Sequence, residues 1–112
     1  MHELSIAGSI VEQISERLGD KRVTLVRLRI GELSGVVPDA LRFCWDLAAD
    51  GTPLAGAALE IEEIEARCSC RSCGAEFRPP DGLQLCGCGS ADVRLLAGAD
   101  LTIASVGVSA HV

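Results

Sequence analysis

The chain has 112 residues with 16 acidic against 10 basic side chains, for a formal net charge of −6. That is room for one domain or one domain with a small insertion, and too little excess Lys and Arg to favour a nucleic-acid backbone as ligand. No run reaches the roughly 20 apolar residues of a membrane span, and no basic stretch precedes an apolar leader, so a cytoplasmic location is expected.

The first residues read MHELS. An N-terminal amine, a backbone amide and the His2 imidazole make a compact set of nitrogen donors, of the kind that Ni(II) or Cu(II) favours. Taken alone, His2 reads as a solvated terminal residue, and Glu3 as a favourable charge at the positive end of a helix. That helix is predicted over Leu4 to Leu18. Leu4, Ala7, Ile10, Val11, Ile14 and Leu18 fall on one face, Glu12, Gln13, Glu16 and Arg17 on the other, and Gly19 ends it.

From Lys21 to Ile30 the pattern changes to alternation, with Thr24, Val26, Leu28 and Ile30 on one face and Arg27 and Arg29 on the other, as in a half-buried strand. After a connection from Gly31 to Val37, Pro38 can open a second helix without wasting a backbone donor, and Leu41, Cys44, Trp45 and Ala48 follow at helical spacing until Gly51. Ala58 to Ala66 and Leu101 to Val108 read as two further strands. The apolar parity slips in each, between Ile61 and Ile64 and between Ile103 and Val106, which a bulge in each would explain. The acidic run EIEEIE, Glu60 to Glu65, reads as a solvated strand face. Trp45, Phe43 and Phe77 are the only aromatic residues, so Leu, Ile, Val and Ala must make the core. His111 is read as tail.

These elements predict an α+β fold with two helices on a three-stranded antiparallel sheet and a small zinc-ribbon-like insertion. The expected division is 1–66 plus 98–112 for the α+β domain and 67–97 for the insertion.

The insertion carries the densest chemistry. Cys70 and Cys73 form C-x-x-C before Gly74, and Cys86 and Cys88 form C-x-C before Gly89, with Cys68 two positions upstream. Reduced, clustered cysteines in this setting are more often metal ligands than disulfides. Each pair can supply two corners of a tetrahedron, and four thiolates close a structural Zn(II) site. All-sulfur ligation also accepts iron, which leaves a rubredoxin-like carrier open, and a zinc-ribbon nucleic-acid-binding module is a further alternative, disfavoured by the acidic balance. Cys70, Cys73, Cys86 and Cys88 are the expected four, with Cys68 competing for a place. Cys44 is read as a small core residue. No nucleophile with an adjacent base and no phosphate-cradling loop is found, so the chain is not read as an enzyme.

With MHELS at its start, RIGELSGVVPDALRFCWD in its middle and C-x-x-C then C-x-C-G-S near its end, the chain resembles the HypA (HybF) family of hydrogenase-maturation nickel metallochaperones over nearly its whole length. Many members carry C-P-x-C-G-S at the second cysteine pair, where this chain has CGCGS. The resemblance implies a nickel-binding α+β domain with an inserted zinc domain, Ni(II) as transported ion and Zn(II) as structural ion. It places nickel on Met1 through its amine, on His2 through its imidazole and amide, and on Glu3 through its amide or carboxylate. Met1 is expected to be retained beside the bulky His2. The implied partners are a HypB-type GTPase and the hydrogenase large subunit, with no nucleic acid and no membrane. The sequence leaves monomer and homodimer open.

Overall fold

The computed structural model describes residues 2–109. Met1 and the tail containing His111 lie outside them. In chain order the elements are α1 (Glu3–Leu18), β1 (Val23–Gly31), α2 (Pro38–Ala49), β2 (Ala58–Ile64), β3 (Arg67–Cys70), β4 (Glu76–Phe77), a single 3-10 turn at Pro80–Gly82, β5 (Val93–Ala97) and β6 (Leu101–Val108). They form two three-stranded sheets, ordered β2-β1-β6 and β4-β3-β5.

The helices follow the apolar spacing. α1 buries Ala7, Ile10, Val11 and Ile14, and at its end the Gly19 amide donates to the Ser15 carbonyl at 2.8 Å, with Gly19 at φ +63°, where a side chain would be strained. α2 starts with Pro38 in its first turn and buries Leu41, Trp45 and Ala49. The Trp45 ring N–H is not wasted by burial, since it donates to the Ala57 carbonyl at 3.3 Å. These side chains join Val23, Val26, Leu28 and Ile30 of the central strand β1 in one hydrophobic core, aliphatic except for Trp45. No helix among the described residues is long and apolar enough to cross a membrane.

The sheet is mixed where an all-antiparallel one was expected. β1 pairs antiparallel with β6 but parallel with β2. The physical reason is the connection: α2 carries the chain back across the sheet, so β2 starts at the same end as β1. The parallel register sets Arg27 opposite Glu60 and Arg29 opposite Glu62, and both pairs form ion pairs on the exposed face, at 2.9 and 3.1 Å.

Of the two bulges expected, the one in β6 is present and the one in β2 is not. β2 pairs with β1 without interruption from Ala58 to Ile64 and ends there, so its parity slip is the end of the strand. In β6 the register steps from Ser105 opposite Arg27 to Ile103 opposite Leu28, which leaves Ala104 as the extra residue. A second irregularity, between Val23 and Leu25, turns Thr24 outward and Val23 inward, the reverse of the inward Thr24 expected. The cysteine-rich segment carries β3, β4 and β5, a regularity hidden in sequence by strands of two to five residues.

Candidate metal centre

Strand β3 ends at Cys70, and the chain turns back at once. The Cys70 amide donates to the Ala75 carbonyl at 2.8 Å, and the Cys70 carbonyl accepts from the Gly74 amide at 2.9 Å. At the other cysteine pair, the Cys86 amide donates to the Ser90 carbonyl and the Cys86 carbonyl accepts from the Gly89 amide, both at 2.9 Å. The two turns share one hydrogen-bond scheme, and the second closes one residue sooner. That is how C-x-C does the work of C-x-x-C here. Gly74 and Gly89 close these turns at φ +79° and +93°, where glycine is the unstrained residue.

Side chains then lock the turns together. The Ser72 and Ser90 hydroxyls share a hydrogen bond at 2.9 Å, the Arg71 amide donates to the Asp92 carbonyl at 2.9 Å, and the Asp92 amide donates to the Ser90 hydroxyl at 3.1 Å. The result brings Cys70, Cys73, Cys86 and Cys88 into one group whose sulfurs all lie within 4.8 Å of one another. Cys70 Sγ is 3.7 Å from Cys88 Sγ, and Cys73 Sγ is 3.6 Å from Cys86 Sγ. Four sulfurs on a tetrahedral Zn(II) at about 2.3 Å would be about 3.8 Å apart, so the thiols fit such an ion. Cys70 and Cys86 are buried and Cys73 and Cys88 exposed.

The backbone also prepares the charge. The Cys73 amide, helped by that of Ser72, stabilises the Cys70 thiolate and brings this thiol down to about 6 against the opposition of burial. At Cys86 the Cys88 amide works in the same direction, but burial and the neighbouring thiols outweigh it and push Cys86 up to about 12. One thiolate, Cys70, forms readily and Cys86 resists, as expected when thiolates crowd one another.

Cys68 is not in the group. It lies in the middle of β3, fully buried, with Phe77 of β4 and Leu95 of β5 as its cross-strand partners. Cys44 is half-buried on α2.

At the N-terminus, Met1 lies outside the described residues. His2 is exposed at the residue before α1 and makes no side-chain capping bond. Glu3 is the surprise. It is the buried charged residue at the start of α1, 8 % exposed, and its Oε2 accepts from the Val37 amide at 3.2 Å. That donor holds the Glu3 carboxyl below its usual range, against the opposing effect of burial. The carboxylate thus ties the start of α1 to the start of α2. Nothing in the local sequence announces a contact across 34 residues.

Comparison with known proteins agrees with this architecture. The family model described as "Hydrogenase/urease nickel incorporation, metallochaperone, hypA" matches residues 1–108. A hydrogenase maturation factor HypA from Nostoc sp. is 43% identical over 108 residues, covering 96% of each chain. Its counterpart from Geotalea uraniireducens is 45% identical over 104 residues, covering 92% of this chain and 94% of that one. The solution structure of the Ni metallochaperone HypA from Helicobacter pylori superposes with a TM-score of 0.66 at 22% identity, covering 99% of this chain and 100% of that one. A further HypA solution structure gives 0.68 at 21%, covering 99% and 98%. These two show a shared fold, and the family model with the closer relatives shows the lineage: the chain belongs to the HypA family of hydrogenase maturation factors, which are metallochaperones and not enzymes.

Proposed function

We propose that the chain carries one Ni(II) at its N-terminus for hydrogenase maturation and one structural Zn(II) on Cys70, Cys73, Cys86 and Cys88. The nickel ligands are the Met1 amine, the His2 amide and imidazole, and the Glu3 amide. The observation that carries this assignment is the contrast between two neighbouring side chains. The Glu3 carboxylate is engaged by Val37, whereas the His2 ring is exposed and spends nothing on capping the helix. The carboxylate therefore acts on the nickel site by fixing the first turn and not as a ligand. Chelation by amine, amide and imidazole closes small rings, and all of these donors must give up protons, so binding weakens in acid.

We read residues 1–66 with 98–112 as the nickel-binding unit and 67–97 as the inserted zinc unit. The two separate sheets support this, as does the elongated shape of 58 × 25 × 18 Å. The radius of gyration of 17.4 Å exceeds the roughly 13 Å of a compact domain of similar length. The nickel is handed on, in the cytoplasm, through a HypB-type GTPase to the hydrogenase large subunit. The chain has no phosphate-cradling motif of its own, so any nucleotide hydrolysis comes from the partner.

Native mass spectrometry of the untagged chain tests the assignment. One zinc and one nickel are expected. His2→Ala should lose nickel and keep zinc, and Cys73→Ser should release zinc. Nickel that survives His2→Ala but fails on cysteine substitution would contradict the N-terminal site. A colourless protein is expected, whereas a coloured iron-loaded one would favour the rubredoxin-like reading.

A further inference from the structure

The segment Gly31-Glu32-Leu33, singled out in the sequence as part of RIGELSGVV, has no place in either metal site. It lies where the chain leaves the first sheet and where it returns. The Glu32 amide donates to the Ile64 carbonyl at the end of the outgoing strand, and the Leu33 amide donates to the Gly98 carbonyl in the returning linker between β5 and β6, each at 2.8 Å. The Gly31 amide reaches the Asp100 carbonyl, also at 2.8 Å. Three successive amides thus pin the roots of both linkers to the end of β1. The approach is close enough to need glycine. A Cβ on Gly31 would fall 2.3 Å from the Gly98 carbonyl carbon, and one on Gly98, at φ +95°, would fall 2.5 Å from the Ala66 Cα.

Backbone pins fix where the linkers start but not how the inserted sheet is turned beyond them. The Glu32 side chain reaches that far. Its Oε1 accepts from the Ala66 amide at 2.9 Å, the first peptide past the pin, and its two oxygens receive Arg78 Nε at 3.3 Å and Nη2 at 2.8 Å. Arg78 also donates from Nη1 to Glu65 at 3.2 Å. Next to this contact the Leu33 side chain lies against Gly82 of the 3-10 turn, 3.1 Å from where a Cβ there would sit. A planar guanidinium forked onto one carboxylate fixes direction as well as distance, which a lysine ammonium cannot do. The charges respond accordingly: Arg78 holds the Glu32 carboxyl below its usual range, and Glu32 raises Arg78.

We propose that Glu32 and Arg78 are positioning residues that set the pose of the four-cysteine unit on the two-helix unit, so that the chain meets its maturation partners as one surface. The pair does this without contributing to either metal site. Single exposed ion pairs contribute little to stability, so its removal should change orientation far more than folding. The proposal rests on the two-unit reading above.

The test is residual dipolar coupling of backbone amides in the full, zinc-loaded chain. In the unmutated protein, couplings from both sheets should fit one alignment tensor. Arg78→Ala should require two, with one zinc per chain and unchanged amide shifts within each sheet. Glu32→Ala should do the same, and it decides the matter by the same criterion if Arg78→Ala does not fold. Two tensors in the unmutated chain, or one tensor retained in the variants, would overturn the proposal. Zinc removal reports separately on the two-unit reading: if stripping the metal melts both sheets together, that reading falls whatever the couplings show.

Discussion

Glu3 and Val37 hold the starts of the two helices together, by a hydrogen bond of 3.2 Å from the Val37 amide to the Glu3 carboxylate. Val37 precedes Pro38, the first residue of α2, and its amide is one of the donors that a helix start leaves without a partner inside the helix. A carboxylate there satisfies the donor and meets the positive ends of both helices.

This contact makes a prediction about acid. The folded-state pKa of Glu3 lies below its ordinary value of 4.5. The stability it contributes is therefore fully present above that value and is lost as pH falls through the folded one. Glu3→Gln should lower the melting temperature by several degrees at pH 7 and flatten the decline in stability below pH 4.5, as thermal melts across pH would show. Its nickel affinity should stay within a few-fold of the unmutated chain, because the backbone amide is kept.

Cys68 and Cys73 should separate packing from ligation. Cys68→Ser puts a hydroxyl into a fully buried position between Phe77 and Leu95, which should cost about 1–3 kcal/mol. Zinc content should remain one per chain. Cys73→Ser removes one corner of the tetrahedron and should abolish stoichiometric zinc. Metal analysis beside urea denaturation distinguishes the two, and loss of zinc from Cys68→Ser would show that a fifth thiol ligates.

Most of the fold was legible because its elements are long enough to show their period. α1 and α2 each present an apolar stripe, and β6 was delimited from Leu101 to Val108 by its alternation. The direction of β2 is not encoded in its pattern, since Arg27 and Arg29 can face Glu60 and Glu62 equally well in either orientation. The decisive clue was topological, a helix joining two neighbouring strands. The four-thiol group was legible from spacing, because sequence-local pairs need only close turns. Glu3–Val37 and Glu32–Arg78 were not legible, being contacts across 34 and 46 residues that no local pattern encodes.

The glycine crossing should be intolerant of a single methyl group. Gly98→Ala would drive a Cβ into the Ala66 backbone at a positive φ, and the linkers must move apart to admit it. A loss of at least about 1–3 kcal/mol in urea denaturation is expected. Gly8→Ala, on α1 with nothing within 4 Å of the added carbon, should be neutral or stabilising.

The central claim is that nickel is held by the first residues through a free α-amine. One residue added before Met1 keeps His2, Glu3, the fold and the four cysteines, and converts that amine into an amide nitrogen. Calorimetric titration of Ni(II) into the native and the extended chain at one pH should show affinity falling by at least about tenfold, roughly 1.4 kcal/mol, with zinc content unchanged. Equal affinity in the two chains would take the amine out of the site and contradict the account.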